Sequence, residues 1–263
     1  MNARRWLPLI GPALLLGLWQ LMISAQWVKP VLLPPPADTL VHLAGVFASG
    51  HILPDLWATV YRTLSSFGIA VAVSGDTIVV GAHLKDVGAH IQQGQAYVFV
   101  RSGTTWTQQA ILVDPVTGDT FDSFGGSVVV QGDTAVIGCS KAALPGQAYV
   151  FVRSGTTWAQ QAILKEPMAG VATDQFASAL AIDGDTVVIG DSNRTVGTKW
   201  KQGAVSVFVR SGTTWSLQAT LVDAVSGAAD DQFGIAVAVS GDTAVVGAYN
   251  KDVGTHRQQG QVY

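Results

Sequence analysis

Internal repetition over residues 67–263 constrains the fold more than any other feature of the chain. The hexapeptide Arg-Ser-Gly-Thr-Thr-Trp occurs three times, at 101–106, 153–158 and 210–215. Spacings of 57, 52 and 57 residues separate the phenylalanines that open equivalent segments, Phe67, Phe124, Phe176 and Phe233. A period of this length predicts supersecondary units that bury their apolar faces against their neighbours.

The first repeat contains four strand patterns. The four segments are Phe67–Ser74, Thr77–Ala82, in which β-branched residues dominate, Gln95–Arg101, in which Tyr97 and Phe99 share one face, and Trp106–Val113. Such residues favour strands, in which successive side chains point to opposite faces. Gly75 lies between the first two segments, where its tolerance of positive φ allows a tight turn. Each repeat is therefore predicted to be a sheet of four antiparallel strands, the size of one propeller blade.

Two segments carry the repeated pattern almost unchanged: SFGIAVAVSGDTIVVGA…GQAYVFVRSG and QFGIAVAVSGDTAVVGA…GQVY. They resemble FG-GAP repeats, the blades of the integrin α-subunit head and of many bacterial surface proteins. The resemblance implies an all-β fold, an incomplete β-propeller of about three and a half four-stranded antiparallel blades. The predicted blades cover residues 67–123, 124–175, 176–232 and, in part, 233–263. An incomplete ring has open blade edges, which predict self-association.

Calcium is not expected in these repeats. Many FG-GAP blades carry a D-x-D-x-D-G loop between their first two strands, which supplies several oxygen ligands. Here the connection is a short turn with one carboxylate, at Asp76, Asp133, Asp185 and Asp242. We expect each carboxylate to bond its own turn backbone. The five histidines show no metal-ligand spacing and no nucleophile is paired with a base, so no metal, cofactor or catalytic residue is predicted.

The N-terminal residues 1–28 predict a transmembrane helix or signal anchor. No charge interrupts the apolar run from Trp6 to Val28, and Arg4 and Arg5 precede it, so the N-terminus is expected in the cytoplasm. A cleaved signal peptide is the alternative. Both interpretations place the repeats outside the cytoplasm, either anchored to the membrane or secreted.

Residues 29–66 are proline-rich and then helical in pattern. The stretch LLLGLWQLMISAQWVKPVLLPPPADTLVHLAGVFASGHILPDLWATVYRTLSSF resembles the N-terminal part of a permease subunit of a nitrate/sulfonate/taurine-type ABC importer. That resemblance implies an alternative function, a membrane subunit of an importer. The further membrane spans and the coupling loop of such a permease are not found after residue 67. A third interpretation is therefore a non-functional chimeric fragment.

Polar loops after the second strand of each repeat are the candidate contact sites for a partner. Residues 83–93 and 249–259 are nearly identical, and residues 192–202 add an aromatic side chain beside lysines. An exposed aromatic residue beside cations favours contact with a protein or a glycan, whereas an ordinary solvated loop is the alternative. The candidate contact residues are Lys85, Asp86, His90, Trp200, Lys201, Lys251, Asp252 and His256.

The charge distribution excludes nucleic acid as a partner. Residues 67–263 carry 11 basic and 16 acidic side chains, and the basic ones are dispersed. Phosphate binding requires clustered lysine and arginine. The sequence as a whole favours a non-catalytic interaction or adhesion module that is exported or anchored to the membrane.

Overall fold

Strands, many of them rich in valine, form the regular secondary structure of the described part of the protein. The computed structural model describes residues 70–114, 120–140, 146–165 and 176–263, all within one compact unit, Ser65–Tyr263. Within these ranges, no helix is long and apolar enough to cross a membrane. The transmembrane helix predicted in residues 1–28 and the helical pattern in 29–66 lie outside the described residues.

Four antiparallel sheets follow one another along the described chain, and consecutive strands are neighbours in each. The first sheet contains β1 (Val71–Ser74), β2 (Thr77–Ala82), β3 (Gln95–Ser102) and β4 (Thr105–Leu112). The second contains β5 (Phe124–Gln131), β6 (Thr134–Cys139), β7 (Gln147–Ser154) and β8 (Thr157–Lys165). The third contains β9 (Phe176–Asp183), β10 (Thr186–Asp191), β11 (Ala204–Ser211) and β12 (Thr214–Leu221). The described part of the fourth contains β13 (Ala236–Ser240), β14 (Thr243–Ala248) and β15 (Gln261–Val262).

The strand predictions are confirmed for the described residues, which are all-β. The predicted second strand, Thr77–Ala82, coincides with β2, and the third and fourth strands differ from prediction by one residue. Gly75 has a φ of +56°, as the tight turn requires. These sheets are consistent with successive propeller blades.

Apolar side chains fill the space between successive sheets in the same way each time. Between the first two sheets, Val79 and Val98 of one pack against Phe124, Ile137 and Tyr149 of the other, all fully buried. Equivalent residues fill the next two interfaces. Each sheet therefore has a leading face, toward the preceding sheet, and a trailing face, toward the next one.

Backbone packs directly on backbone where neighbouring sheets meet. A Cβ atom added to Gly81 would lie 2.0 Å from the carbonyl oxygen of Gly125, and one added to Gly190 would lie 2.0 Å from that of Gly234. No side chain fits in this space, so the second strand requires glycine. Gly125 has a φ of +91°, a conformation that glycine adopts without strain. The Phe-Gly segment of one repeat thus contacts the Gly-Ala segment of the preceding one.

Ala177 stands where two of the other repeats have this positive-φ glycine. Its φ is +65° and its side chain is buried. Its carbonyl oxygen still contacts the preceding sheet, where it accepts a hydrogen bond from Ser127 Oγ (2.6 Å). The third repeat therefore keeps the contact but holds an alanine in a strained conformation.

Charged side chains join strands and sheets at the end that carries the β1–β2 and β3–β4 turns and their equivalents, which we call the turn end. Arg153 Nε donates to Asp133 Oδ1 (2.6 Å), its Nη1 donates to Thr77 Oγ1 of the preceding sheet (3.1 Å), and its guanidinium lies 5.4 Å from the Trp158 ring. Arg210 repeats this arrangement in the third sheet. The expectation that turn aspartates bond their own backbone is therefore wrong where these arginines pair with them. The repeated hexapeptide supplies both the arginine and the tryptophan.

The last residues of the first strands of the sheets, β1, β5 and β9, connect adjacent turns at this same end. Gly132 N–H donates to Ser74 Oγ (3.0 Å), and Gly184 N–H donates to Gln131 Oε1 (2.6 Å). Asp183 continues the series by accepting from Gly241 N–H (2.7 Å). That backbone bond lowers the pKa of Asp183. One side-chain position therefore links every pair of neighbouring turns.

Replacing Ala177 with glycine should stabilise the protein. Glycine removes the cost of a left-handed alanine, and we expect the free energy of unfolding to rise by about 1 kcal/mol. The matched change Gly125→Ala should destabilise the protein, because its Cβ would lie 2.7 Å from Gln95 O. Urea denaturation of the full chain measures both. A less stable Ala177→Gly variant would contradict the assigned strain.

Candidate functional site

Loops cluster at the opposite end of the sheets from the tight turns, and we call this the loop end. The strands alternate in direction, so the β2–β3 type of loop and the connections between sheets emerge together there. Three of these loops contain a short hairpin, in which Val87 pairs with His90, Val196 with Lys199, and Val253 with His256.

In the first and third sheets, the second half of this loop binds the segment that leads into the next sheet. Phe121 N–H donates to Ile91 O (2.8 Å), and Phe124 N–H donates to Gln93 O (2.9 Å). In the third sheet, Trp200 O accepts in the same way from Asp230 N–H (2.8 Å). Main-chain hydrogen bonds therefore brace these loops, which fixes the positions of their exposed side chains.

The first of the three loops exposes its predicted contact residues. Lys85, Asp86 and His90 are all solvent-exposed. Asp86 Oδ1 accepts a hydrogen bond from Gln92 N–H (2.8 Å), so this carboxylate also shapes its own loop. The side chains of Lys85 and His90 are left to face solvent.

The other two loops also expose most of their predicted contact residues. Trp200 is 55% exposed, and the ammonium of Lys201 lies 4.4 Å from its ring centroid. Asp252 and His256 are exposed, and Asp252 Oδ1 accepts from Gln258 N–H (2.7 Å). The sequence-predicted residues thus share the loop end but belong to separate loops.

Lys251 differs from the other candidates because its side chain is buried. Its Nζ lies 2.7 Å from Asp231 Oδ2 and 3.1 Å from Asp223 Oδ2, and it also donates to Ser226 O. Both carboxylates come from the loop that precedes the fourth sheet. Lys251 therefore belongs to the internal structure and not to the exposed contact surface. Asp231 ties the inter-sheet loop by accepting from Ala228 N–H and from Lys251 Nζ.

The charge pairing shifts the pKa of each group in this cluster. Burial alone would raise the pKa of Asp223, but hydrogen bonds from Tyr263, Ser226 and Lys251 outweigh it, and the pKa falls well below its usual range. Burial alone would lower the pKa of Lys251, and its bonds to Asp231 and Asp223 raise it instead. Both shifts favour the ionised pair at neutral pH.

A comparable acidic cluster precedes the second sheet. The ligand atoms of Asp114, Asp122 and Cys139 lie within 4.8 Å of one another, and all three residues are buried. Tyr149 Oη donates to Asp114 Oδ2 (2.8 Å), and Cys139 Sγ donates to Asp122 O (3.2 Å). At the equivalent place before the fourth sheet the ammonium of Lys251 neutralises the two carboxylates. The arrangement therefore suits a cationic side chain, and we assign no metal to it.

Sequence reasoning missed several large apolar side chains at the loop end. Ile91, Phe121 and Tyr249 are each about half exposed, and Val225 is 98% exposed. Ile91 and Phe121 are neighbours through the hydrogen bond that joins their backbones. The missed signal was the position of these residues in polar loops, where a large apolar side chain has no core to enter.

A cavity of about 270 Å³ opens at the loop end of the first three sheets. Its polar lining comes from His83, Ser123, Ser140 and Ser178. Burial lowers the pKa of His83, so the imidazole is neutral at pH 7. Among the described residues, no hydrogen bond joins His83 to a serine hydroxyl, whereas a nucleophilic serine requires a base in contact with it. The cavity presents neutral hydrogen-bonding groups.

Replacing Lys251 with methionine should destabilise the protein by about 3 kcal/mol at neutral pH, because two carboxylates then remain buried without their cation. The native contribution of Asp223 is present above its ordinary pKa of about 3.9 and is lost as the pH falls through the lowered value. The difference in the free energy of unfolding between the native protein and the variant should therefore shrink as the pH is lowered toward about 3. Urea denaturation at several pH values measures it.

Lys85→Met is the matched control, since Lys85 occupies the equivalent position in the first repeat and is exposed. It should leave the stability unchanged across the same pH range. An equal loss in both variants, or a Lys251→Met effect that does not depend on pH, would contradict the assigned ion pairs.

Comparison with known proteins identifies the repeats. A family model described as FG-GAP repeat matches residues 56–99, 106–151, 158–208 and 215–263. No curated protein matches the chain significantly. The first match begins ahead of residue 67, so part of the segment likened to importer permeases is covered by a repeat.

Each later match starts in the outermost strand of one sheet and continues through the first three strands of the next. The match at 106–151, for example, joins β4 to β5, β6 and β7. The sequence repeat is therefore offset from the sheet, and every repeat crosses an interface between sheets. The four matches cover most of the sequence, and the chain belongs to the FG-GAP repeat family.

Proposed function

We propose that the repeats form a non-catalytic interaction module that binds a protein surface through its loop end. The observation that carries this proposal is the set of exposed apolar side chains on loops braced by main-chain hydrogen bonds. Protein interfaces are enriched in aromatic residues and depleted of charge at their centres, and preorganised contact residues lose little entropy on binding.

Trp200 is the strongest candidate for an anchor. It is more than half exposed, the cation of Lys201 stacks on its ring, and its backbone carbonyl is fixed by Asp230 N–H. Tryptophan and tyrosine dominate the energetic centres of interfaces. Phe121 is a second anchor at the junction of the first two sheets, where its own N–H donates to the carbonyl oxygen of Ile91, the residue equivalent to Trp200.

The family supports an adhesion or interaction role, and the N-terminal sequence supports export. FG-GAP repeats match most of the described chain. The basic start followed by an uncharged apolar run is typical of a signal anchor or signal peptide. We therefore propose that the loop end meets its partner outside the cytoplasm.

Binding of the full chain to an array of immobilised extracellular proteins and oligosaccharides tests the proposal. We expect binding to at least one protein, and we expect the double change Trp200→Ala with Phe121→Ala to weaken it at least tenfold, since a hot-spot residue contributes more than about 1.4 kcal/mol.

The matched control is Trp106→Ala, an exposed tryptophan of the hexapeptide that stacks on Arg101 away from the loop end. It should leave binding unchanged. Binding lost in Trp106→Ala but kept in the double variant would contradict a loop-end site. Binding to oligosaccharides alone would replace the protein partner with a glycan.

A further inference from the structure

The trailing face of the fourth sheet has the surface that every other trailing face buries. Val79, Val136 and Val188 occupy equivalent positions on the first three sheets and are fully buried, whereas Val245 on the fourth is 42% exposed. Val262 is exposed where its counterparts Ala96, Ala148 and Val205 are buried. None of the four described sheets packs on this face, and the apolar side chains that the other trailing faces bury are exposed on it.

The glycine of the same face also lacks its usual neighbour. Cβ atoms added to Gly81, Gly138 and Gly190 would each meet a carbonyl oxygen of the next sheet within 2.4 Å. At Gly247, the nearest atom in the described residues belongs to Ala236 of its own sheet, 3.6 Å away. The fourth sheet therefore contains the recess into which a Phe-Gly segment packs elsewhere in the molecule.

The leading face of the first sheet is exposed in a complementary way. Val73 is 62% exposed, while Val130, its counterpart on the second sheet, is 8% exposed and packs into the first core. Val71 is likewise 56% exposed, whereas its counterpart Val128 is 7% exposed. These side chains belong to the type of face that covers a trailing face at each internal interface.

Polar groups at the turn end match across the two exposed faces as well. Arg153 and Arg210 each donate to a threonine of the preceding sheet, and their side chains are 18% and 21% exposed. Arg101 has no such donation among the described residues and is 47% exposed. Thr243, the equivalent threonine on the fourth sheet, is exposed. The pair that would complete the pattern lies on the two open faces.

We propose that a second copy of this chain packs the leading face of its first sheet on the trailing face of the fourth sheet. Val73 of one copy then contacts the recess beside Val245 and Gly247 of the other, and Arg101 donates to Thr243. The three internal interfaces, with nearly the same residues, are the structural precedent. This contact is separate from the loop end and does not depend on the proposed function.

The proposed contact is head-to-tail, because it joins two different faces. Each copy keeps one face of each kind open after the first contact, so association continues until a ring closes or a filament grows. Two single substitutions can therefore disable the two faces independently. This property distinguishes the contact from any symmetric dimer.

The test is the mass of the full chain in mild detergent, by sedimentation over a range of concentrations. The native chain should exceed its monomer mass of 27.5 kDa as concentration rises. Val73→Asp and Val245→Asp should each abolish that increase, because a buried unpaired charge opposes the contact. An equimolar mixture of the two variants should form a dimer and nothing larger, through the one intact pair of faces.

Val225→Asp is the matched control, since Val225 is fully exposed at the loop end. It should associate like the native chain. Both face residues are exposed in the single chain, so circular dichroism should show folded variants. A native chain that stays monomeric, or single variants whose mixture stays monomeric, would overturn the proposal. If both single variants associate like the native chain, another surface mediates the association, and the proposal is overturned as well.

Discussion

Close contact between glycine backbones is the constraint on which the rest of the structure depends. Gly81 has no room for a Cβ atom because the carbonyl oxygen of Gly125 occupies that space, and the same holds for Gly190 and Gly234. This approach sets the distance between sheets, and the aromatic and β-branched side chains of the cores are those that fill it. The two glycine-containing segments of the repeat are therefore the two halves of one contact between neighbouring repeats.

The turn end adds directional interactions to this apolar packing. Arg153 contacts its own sheet through Asp133 and the preceding sheet through Thr77. An exposed ion pair contributes little by itself, but a planar guanidinium held by a carboxylate, a hydroxyl and a tryptophan ring has a defined position. The hexapeptide thus fixes the rotation of one sheet against the next. Apolar packing alone, which is not directional, would define that rotation poorly.

The strands could be predicted from the sequence because their signals are local, whereas the polar contacts could not. Asp133 pairs with an arginine twenty residues away, which no inspection of its turn reveals. Lys85 and Lys251 both begin the sequence Lys-Asp-Val-Gly, yet one is exposed and the other buried. The difference arises because Asp223 and Asp231 approach Lys251 from the preceding loop. The surroundings of a side chain at a contact between repeats cannot be predicted from the sequence of either repeat alone.

Main-chain hydrogen bonds hold the loop end, so folding places little constraint on the residue type at its exposed positions. Ile91 and Trp200 occupy equivalent positions, and both bind the next sheet through their carbonyl oxygens. Arg257 occupies that position in the fourth repeat. Because main-chain atoms make the contact at Ile91 and Trp200, an aliphatic and an aromatic side chain both serve for folding there. Differences among repeats at this position therefore change the exposed surface while the scaffold stays the same, which is the division of roles that an interaction module requires.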